Sequence, residues 1–383
     1  MPDVHAKWTP PSSSERWLAC PKSAALNATI PDQSSSYAAE GTDCHELCAY
    51  EVEKALGRNV QDPTESLSYY NEEMQISADG YRDFVLEQLE ASKEFCKDPA
   101  VFVEQRVDFS RWVPEGFGTS DCIIAADHLL QVIDMKYGVG VLVSAEHPIY
   151  GGNPQLMIYS LGALDMLGEI YDIKDVKLTI YQPRRENISS YTISKDDLLS
   201  WAENVLKPGA EKALNNEGEF KAGDHCQFCK VKATCRKRAE YNLEMAKYDF
   251  KMPDTLEDSE IAAILPDIDR LISWGNDVKE YALKKAESGT HFDGYKLVEG
   301  RSIRKYTDEA LVADAVSKAG FDPYDKKLKG ITAMTSLLGK KTFNDLLGDY
   351  IIKPPGKPTL VPESDKRPEM NTAVDDFRES ETN

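Results

Sequence analysis

Two stretches of this chain carry side chains whose types and spacing could do chemistry. The first runs Gly118-Thr-Ser-Asp121, crosses the apolar Cys122 to Ala126, turns at Asp127-His128 and ends in Asp134-Met135-Lys136. If Asp127-His128 is a two-residue turn, Ala126 faces Leu129, and counting outward sets Asp121 opposite Asp134. Facing residues share one side of a sheet with Cβ atoms about 4.5–5.5 Å apart. Lys136, two residues further on, shares that side and the exposed end of the hairpin. Like charges set face to face destabilise unless something neutralises them. A hard divalent cation does so, and Mg²⁺ typically takes one or two carboxylates plus water and phosphate oxygens. Such an ion would polarise a scissile phosphate, with Lys136 orienting a water or stabilising developing negative charge. The same residues also fit a plain hairpin end closed by an Asp–Lys salt bridge.

The second stretch is Cys226-Gln-Phe-Cys229 followed by Cys235. Three thiolates at this spacing are one ligand short of a closed zinc or cluster site, so a fourth must come from elsewhere. A zinc site completed by His225 or another cysteine is one solution. Cys96 and Cys122 fall in helix and strand patterns and are expected in the core. Lys230, Lys232, Arg236, Lys237 and Arg238 surround the motif, either tracking a nucleic-acid backbone or solubilising a loop. From Lys221 to Lys251 there are eight basic and four acidic residues, against 45 basic and 65 acidic in the whole chain. That overall acidity argues against a protein that coats nucleic acid. It leaves room for a local groove, because counterion release needs only a few well-placed cations.

The elements that must position these groups are legible in part. Ser12 to Ser14 ahead of Glu15-Arg16-Trp17-Leu18 read as a serine-started helix within Trp8 to Leu26. A second helix is expected from an N-cap at Thr42 to Gly57, which puts His45 in its first turn, exposed. A third is expected over Met74 to Cys96, from apolar spacing through Ile76, Tyr81, Phe84, Val85 and Leu89. Val101 to Phe109, Ser120 to Ala126 and Leu129 to Met135 read as three successive strands. Asn153-Pro154 starts a helix that runs to Leu167-Gly168. Strands over Val176–Tyr181 and Ile188–Ile193 follow, then helix from Lys195 to Asn215 and again from Leu256 to Ser288. His291 to Tyr350 reads as a small unit with a hairpin around Glu299-Gly300 and short helices. The tail from Pro354 is expected to be disordered or draped on a partner.

No apolar run approaches the ~20 residues of a membrane helix. Met1 to Pro11 is polar and lacks a signal-peptide pattern. A cytoplasmic protein is the expectation, and eight cysteines in such a chain argue against a disulfide framework. No phosphate loop of the Gly-x-x-x-x-Gly-Lys-Ser/Thr type is present, so no helicase motor is expected.

Taken in order, these residues resemble the PD-(D/E)xK nuclease superfamily, with Ser120-Asp121 where the pattern usually has Pro-Asp and Asp134-Met135-Lys136 as its second half. Glu40-Gly-Thr-Asp-Cys-His45 resembles the RecB-type element in which a helix-borne histidine reaches the metal. Glu104 stands where such nucleases often hold a further acid. Gln155 and Tyr159, at i and i+4 on one helix face, resemble their QxxxY motif beside the catalytic centre and the DNA. Cys20-Pro-Lys22 is similar to the Cys-Pro-Arg/Lys element of RecB-like nucleases that carry a 4Fe–4S cluster.

The resemblance spans roughly Cys20 to Cys235. It implies an α/β fold with a mixed central sheet flanked by helices, over residues 1–250, then a helical connector (251–290), a small unit (291–353) and a tail (354–383). It further implies a catalytic set of Asp121, Asp134, Lys136, Glu104, Gln155 and Tyr159, and Mg²⁺ or Mn²⁺ held by His45, Asp121, Asp134 and Met135. Cys20, Cys226, Cys229 and Cys235 would hold the cluster. The implied activity is metal-dependent DNA hydrolysis, with exonuclease action at DNA ends favoured over site-specific cutting. The whole chain, Lys353 to Arg367 included, is similar to phage or prophage RecB-like proteins of recombination or replication. That implies a single-strand-binding or annealing protein as a partner and no membrane. The competing expectation is a catalytically silent DNA-end or protein-binding module that keeps fold and cluster.

Overall fold

Three segments rich in branched residues and two more beyond the next helix form one five-stranded sheet. They are β1 (Ala100–Asp108), β2 (Phe117–Ala125), β3 (His128–Met135), β6 (Ile173–Gln182) and β7 (Asn187–Ser194), in the order β1-β2-β3-β6-β7. A short pair, β4 (Glu146–His147) and β5 (Gly151–Gly152), lies apart from it. All contacts in the main sheet are antiparallel except β3 with β6, so the sheet is mixed. The parallel pair needs a crossover, and helix α5 (Pro154–Leu167) lies within it. This is the mixed α/β architecture expected from the sequence. The computed structural model describes residues 8–31, 36–244, 257–299, 306–324 and 328–352.

Helices cover both faces because alternate strand residues must be buried on both. On one face Ile123, Ala125, Leu130 and Val132 pack with α5, whose Leu156, Met157, Tyr159 and Leu161 are buried. Helix α5 starts as the sequence indicates: Asn153 Oδ1 accepts from the amides of Gln155 (3.0 Å) and Leu156 (3.5 Å), with Pro154 at the first position. It lies flush on β1 because Gly162 has no side chain. A Cβ there would come within 2.8 Å of Val107 Cβ and 2.9 Å of the Asp108 carbonyl oxygen. On the other face Cys122, Ile124, Ile133 and Met135 meet α3 (Ser36–Ala55) and α4 (Glu72–Ser92). Each helix buries a stripe at i, i+3, i+4, i+7: Cys44, Leu47, Cys48, Glu51 in α3 and Met74, Ser77, Ala78, Tyr81 in α4.

Two helix starts differ from expectation. Helix α3 begins at Ser36, and Thr42 lies inside it with Oγ1 donating back to the Ala38 carbonyl at 3.1 Å. The stripe from Cys44 to Val52 pulls the helix through Gly41, whose Cβ site is open space. His45 therefore stands in the third turn, partly covered. Near the N-terminus the chain forms a 3₁₀ turn, Pro11–Ser13, then two short helices, α1 (Ser14–Ala19) and α2 (Lys22–Ala28), broken at Cys20-Pro21. Helix α4 ends at Ser92, so Cys96 lies beyond it and is only half-buried, whereas Cys122 is fully buried.

The chain from Lys195 continues as α6 (Lys195–Trp201), a π-helical stretch Ala202–Leu206, and α7 (Lys207–Leu214). Helix α8 (Arg236–Leu243) follows the cysteine motif, and α9 spans Asp258–Glu287. The chain divides into two units, Met1–Asp254 with Arg270–Tyr281, and Thr255–Asp269 with Ala282–Asn383. The second contains α10 (Glu309–Lys318), α11 (Ile331–Leu338) and α12 (Lys340–Leu347). Gly300 of the expected hairpin, the tail from Pro354 and the Lys353 to Arg367 stretch lie outside the described residues. Among the described residues no helix is long and apolar enough to cross a membrane.

Candidate metal centre and cysteine site

The β2–β3 register matches the count from the turn. Cys122 pairs with Ile133 and Ala125 with Leu130, and the Ala126 amide donates to the Leu129 carbonyl at 3.0 Å. Continued by one step, it sets Asp121 opposite Asp134. The ladder itself stops there: Asp121 Oδ2 accepts from the Met135 amide at 2.7 Å, replacing a main-chain partner. The carboxylate of Asp121 is thus held in the splayed mouth of the hairpin.

Strand β1 changes face beside it. Val103 packs on the α3–α4 side and Val107 on the α5 side, although four residues of regular strand would keep them together. Glu104 lies between, at φ +48°, a left-handed conformation rare outside glycine, and the β1–β2 register places it across from Asp121. Holding such a residue costs on the order of 1–3 kcal/mol and is typical of functional sites. From α3, His45 Nδ1 reaches Asp121 Oδ2 at 3.3 Å. His45, Glu104 and Asp121 each offer a ligand atom within 4.8 Å of the others, the one such group among the described residues.

Charge follows from this packing. Burial alone would lower His45, but the Asp121 carboxylate beside it raises it to about 9. Removal of water and the facing Asp121 push Glu104 up to about 7, even though its edge is exposed. Burial works against the charge of Asp121, but His45 and Lys136 hold it below the usual carboxylate range. The metal-free trio therefore carries protons that an incoming cation would displace.

Asp134 is 2 % exposed, so the expectation of an open hairpin end fails for it: α5 covers it. Lys136 Nζ lies 2.8 Å from Asp134 Oδ2. Gln155 joins the two, its Oε1 accepting from Lys136 Nζ at 3.2 Å and its Nε2 donating to Asp134 Oδ1 at 3.0 Å. Burial raises Asp134 while Lys136 pulls it back; burial would lower Lys136, but Asp134 keeps it above its ordinary value. Asp134, expected among the ligands, is here bound to Lys136 and Gln155, and Glu104 takes its place in the trio. Met135 contributes its amide to Asp121. Tyr159 also differs: it is 2 % exposed within the apolar core, its hydroxyl 3.5 Å from Gln155 Nε2. It supports Gln155 and offers no open face for base stacking.

Arg184 was not singled out from the sequence. It bonds Glu40 of α3 and Glu73 of α4, each at 3.2 Å, and lies over the Tyr137 ring. It ties both helices to the end of β6, and only knowledge of the sheet order could have revealed it.

A cleft of about 560 Å³ leads away from Lys136 and Gln155, past Gln182 and His147, to His225 and the exposed Phe228 of the cysteine motif. Behind that motif Cys20, Cys226, Cys229 and Cys235 line one hollow, although Cys20 is some 200 residues away in sequence. Cys20 Sγ accepts from the Lys221 amide at 3.4 Å and Cys229 Sγ from Asn27 Nδ2 at 3.3 Å. Asn27 Oδ1 in turn accepts from the Lys230 amide at 2.8 Å, joining α2 to the motif. Cys44 and Cys48 lie elsewhere, in the α3 core with their sulfurs 4.0 Å apart. His225 Nε2 is 3.0 Å from the Lys221 carbonyl oxygen.

The fold and site together define a mixed α/β protein with a carboxylate–histidine centre at the mouth of a β-hairpin and a separate four-cysteine hollow. The chain belongs to the family described as Protein of unknown function (DUF2800), whose model matches residues 5–368. A solved structure titled "Crystal structure of SSO0001" is similar at 14 % identity, covering 50 % of this chain and 95 % of that one, with a TM-score of 0.21.

Proposed function

We propose that this protein is a metal-dependent DNA nuclease of the RecB-like type, acting at DNA ends. The observation that carries the reading is the convergence of His45, Glu104 and Asp121 beside the Lys136–Asp134–Gln155 chain. A neutral imidazole and two carboxylates suit Mn²⁺ or Mg²⁺, and the left-handed backbone of Glu104 lies at the point facing Asp121. A divalent cation held there supplies Lewis-acid polarisation of a scissile phosphate. Lys136, kept charged by Asp134, stabilises negative charge developing on the phosphate oxygens rather than taking a proton. Gln155 fixes the Lys136 ammonium, and Tyr159 fixes Gln155. The adjoining cleft has the apolar and polar lining that suits a nucleic-acid strand, with Phe228 as a stacking face.

Cys20, Cys226, Cys229 and Cys235, which line one hollow, are the set that would hold a 4Fe–4S cluster. Backbone and side-chain N–H groups donate to two of these sulfurs, contacts that would tune a bound cluster's potential. A tetrahedral zinc would hold its sulfurs about 3.8 Å apart, given Zn–S near 2.3 Å. Zinc on the same thiols is the alternative, and acid-labile sulfide per chain separates the two. A single-strand-binding or annealing protein is the partner this reading suggests. The test is digestion of linear and covalently closed DNA by anaerobically purified protein with Mg²⁺. Loss of the linear form alone supports end-directed cutting; cutting of both forms points to an endonuclease.

A further inference from the structure

Arg16 sits on α1, four residues before Cys20, and its carbonyl accepts the Cys20 amide at 2.8 Å. Its side chain turns inward and is 6 % exposed. Nη1 donates to the Ser23 carbonyl at 3.0 Å and to Ser23 Oγ at 2.8 Å, and Nη2 donates to Ser13 Oγ at 3.1 Å. These partners take three of the five N–H donors and carry no negative charge. Among the described residues none of its partners is a carboxylate, and a buried guanidinium without a counter-charge is costly.

Arg16 lines the hollow formed by Cys20, Cys226, Cys229 and Cys235, and it also borders the cleft that runs from Lys136 to Phe228. Burial depresses its basicity, and the groups that oppose this are Cys229 and Cys20. Arg238, the other buried cation lining the hollow, is neutralised by Asp277 at 2.5 Å, which also binds Lys232 at 2.8 Å. Lys221 is exposed, so water already solvates its ammonium. Arg16 is therefore the buried cation here with an unanswered charge.

We propose that Arg16 is the counter-ion of the four-cysteine centre, a positioning residue whose positive charge balances the thiolate-held cluster. The proposal rests on the cluster reading given above. Four thiolates around a 4Fe–4S core carry a net negative charge that grows by one on reduction, and net charge is a main determinant of cluster potential. Arg16 thus favours both assembly of the cluster and its reduced state. A Ser-lined pocket suits the role because hydroxyls orient the guanidinium without competing for its charge.

The experiment uses anaerobically purified full-length wild type, R16Q and R16K. It reads iron and acid-labile sulfide per chain and the midpoint of a dye-mediated dithionite titration. R16Q should lose iron and titrate at a more negative potential, by about tenfold in the reduction equilibrium, or ~59 mV for one electron. R16K keeps the charge and should stay close to wild type in both readings. Wild type with no iron and no sulfide would overturn the cluster reading and this proposal together. A wild type that holds its cluster while R16Q matches it in iron and potential would overturn the assignment of Arg16 alone. So would an R16K that loses iron and shifts in potential, because shape rather than charge would then be at stake.

Discussion

Binding of Mn²⁺ should release protons, in a number that the site's electrostatics fix. The perturbation is addition of Mn²⁺ to metal-free protein at a series of pH values. Before the ion arrives, His45 titrates near 9 and Glu104 near 7. A ligating imidazole must be neutral and a ligating carboxylate ionised, so every proton on either group must leave. Summing the protonated fractions from those two values gives about 1.9 protons per chain at pH 6, about 1.5 at pH 7 and about 1.0 at pH 8. Release falls as pH rises because both groups have then already lost their protons. The His45→Gln variant removes one source and leaves Glu104, which rises once the imidazolium no longer holds it down. Its release at pH 7 should lie between about 0.5 and 1. Calorimetry in buffers of different ionisation enthalpy counts these protons directly. Binding with no proton release at pH 7, or with the same release at pH 6 and pH 8, would refute the assignment of His45 and Glu104 as ligands.

Further outcomes follow from the same contacts. Asp134→Ala alone leaves Lys136 without its buried partner and should destabilise the fold by about 3–5 kcal/mol. The double variant D134N/K136Q should recover much of that in thermal melts while cutting DNA at least ~10³-fold more slowly. Tyr159→Ala opens a cavity in the α5 core and should cost about 3–5 kcal/mol in denaturant titrations. Tyr159→Phe should keep DNA binding, and a large loss there would restore a direct DNA role. Cys20→Ala should bleach the protein and remove iron, whereas Cys44→Ala and Cys48→Ala should not; full iron in Cys20→Ala would remove Cys20 from the ligand set.

The hairpin and its two carboxylates were legible because register follows from a short turn and strict alternation. Asn153-Pro154 likewise announced its helix through a local cap. What local pattern could not show was burial arising between distant elements. Asp134 looked like an exposed hairpin end until α5, drawn close by Gly162, covered it. The same covering makes Tyr159, expected beside the DNA, a buried neighbour of Gln155. His45 was placed in the right helix but the wrong turn, since Thr42 mimics a cap while the apolar stripe carries the helix past it. The face change at Glu104 had no sequence signal, because a left-handed glutamate is imposed by neighbouring packing. Arg184 escaped notice for the same reason: its partners Glu40 and Glu73 lie far away in the chain.

The central claim is tested most directly by digestion of end-labelled linear DNA with wild type and Asp121→Asn, each with Mg²⁺, with Mn²⁺ and with chelator. Asp121 touches both His45 and the Met135 amide and is one of the three groups that would hold the proposed ion. The account predicts metal-dependent shortening from the ends by wild type, none with chelator, and a loss of ~10³-fold or more in D121N. Wild-type protein that binds Mn²⁺ and carries its cluster yet leaves DNA intact would contradict it and point to a binding module that has lost its chemistry.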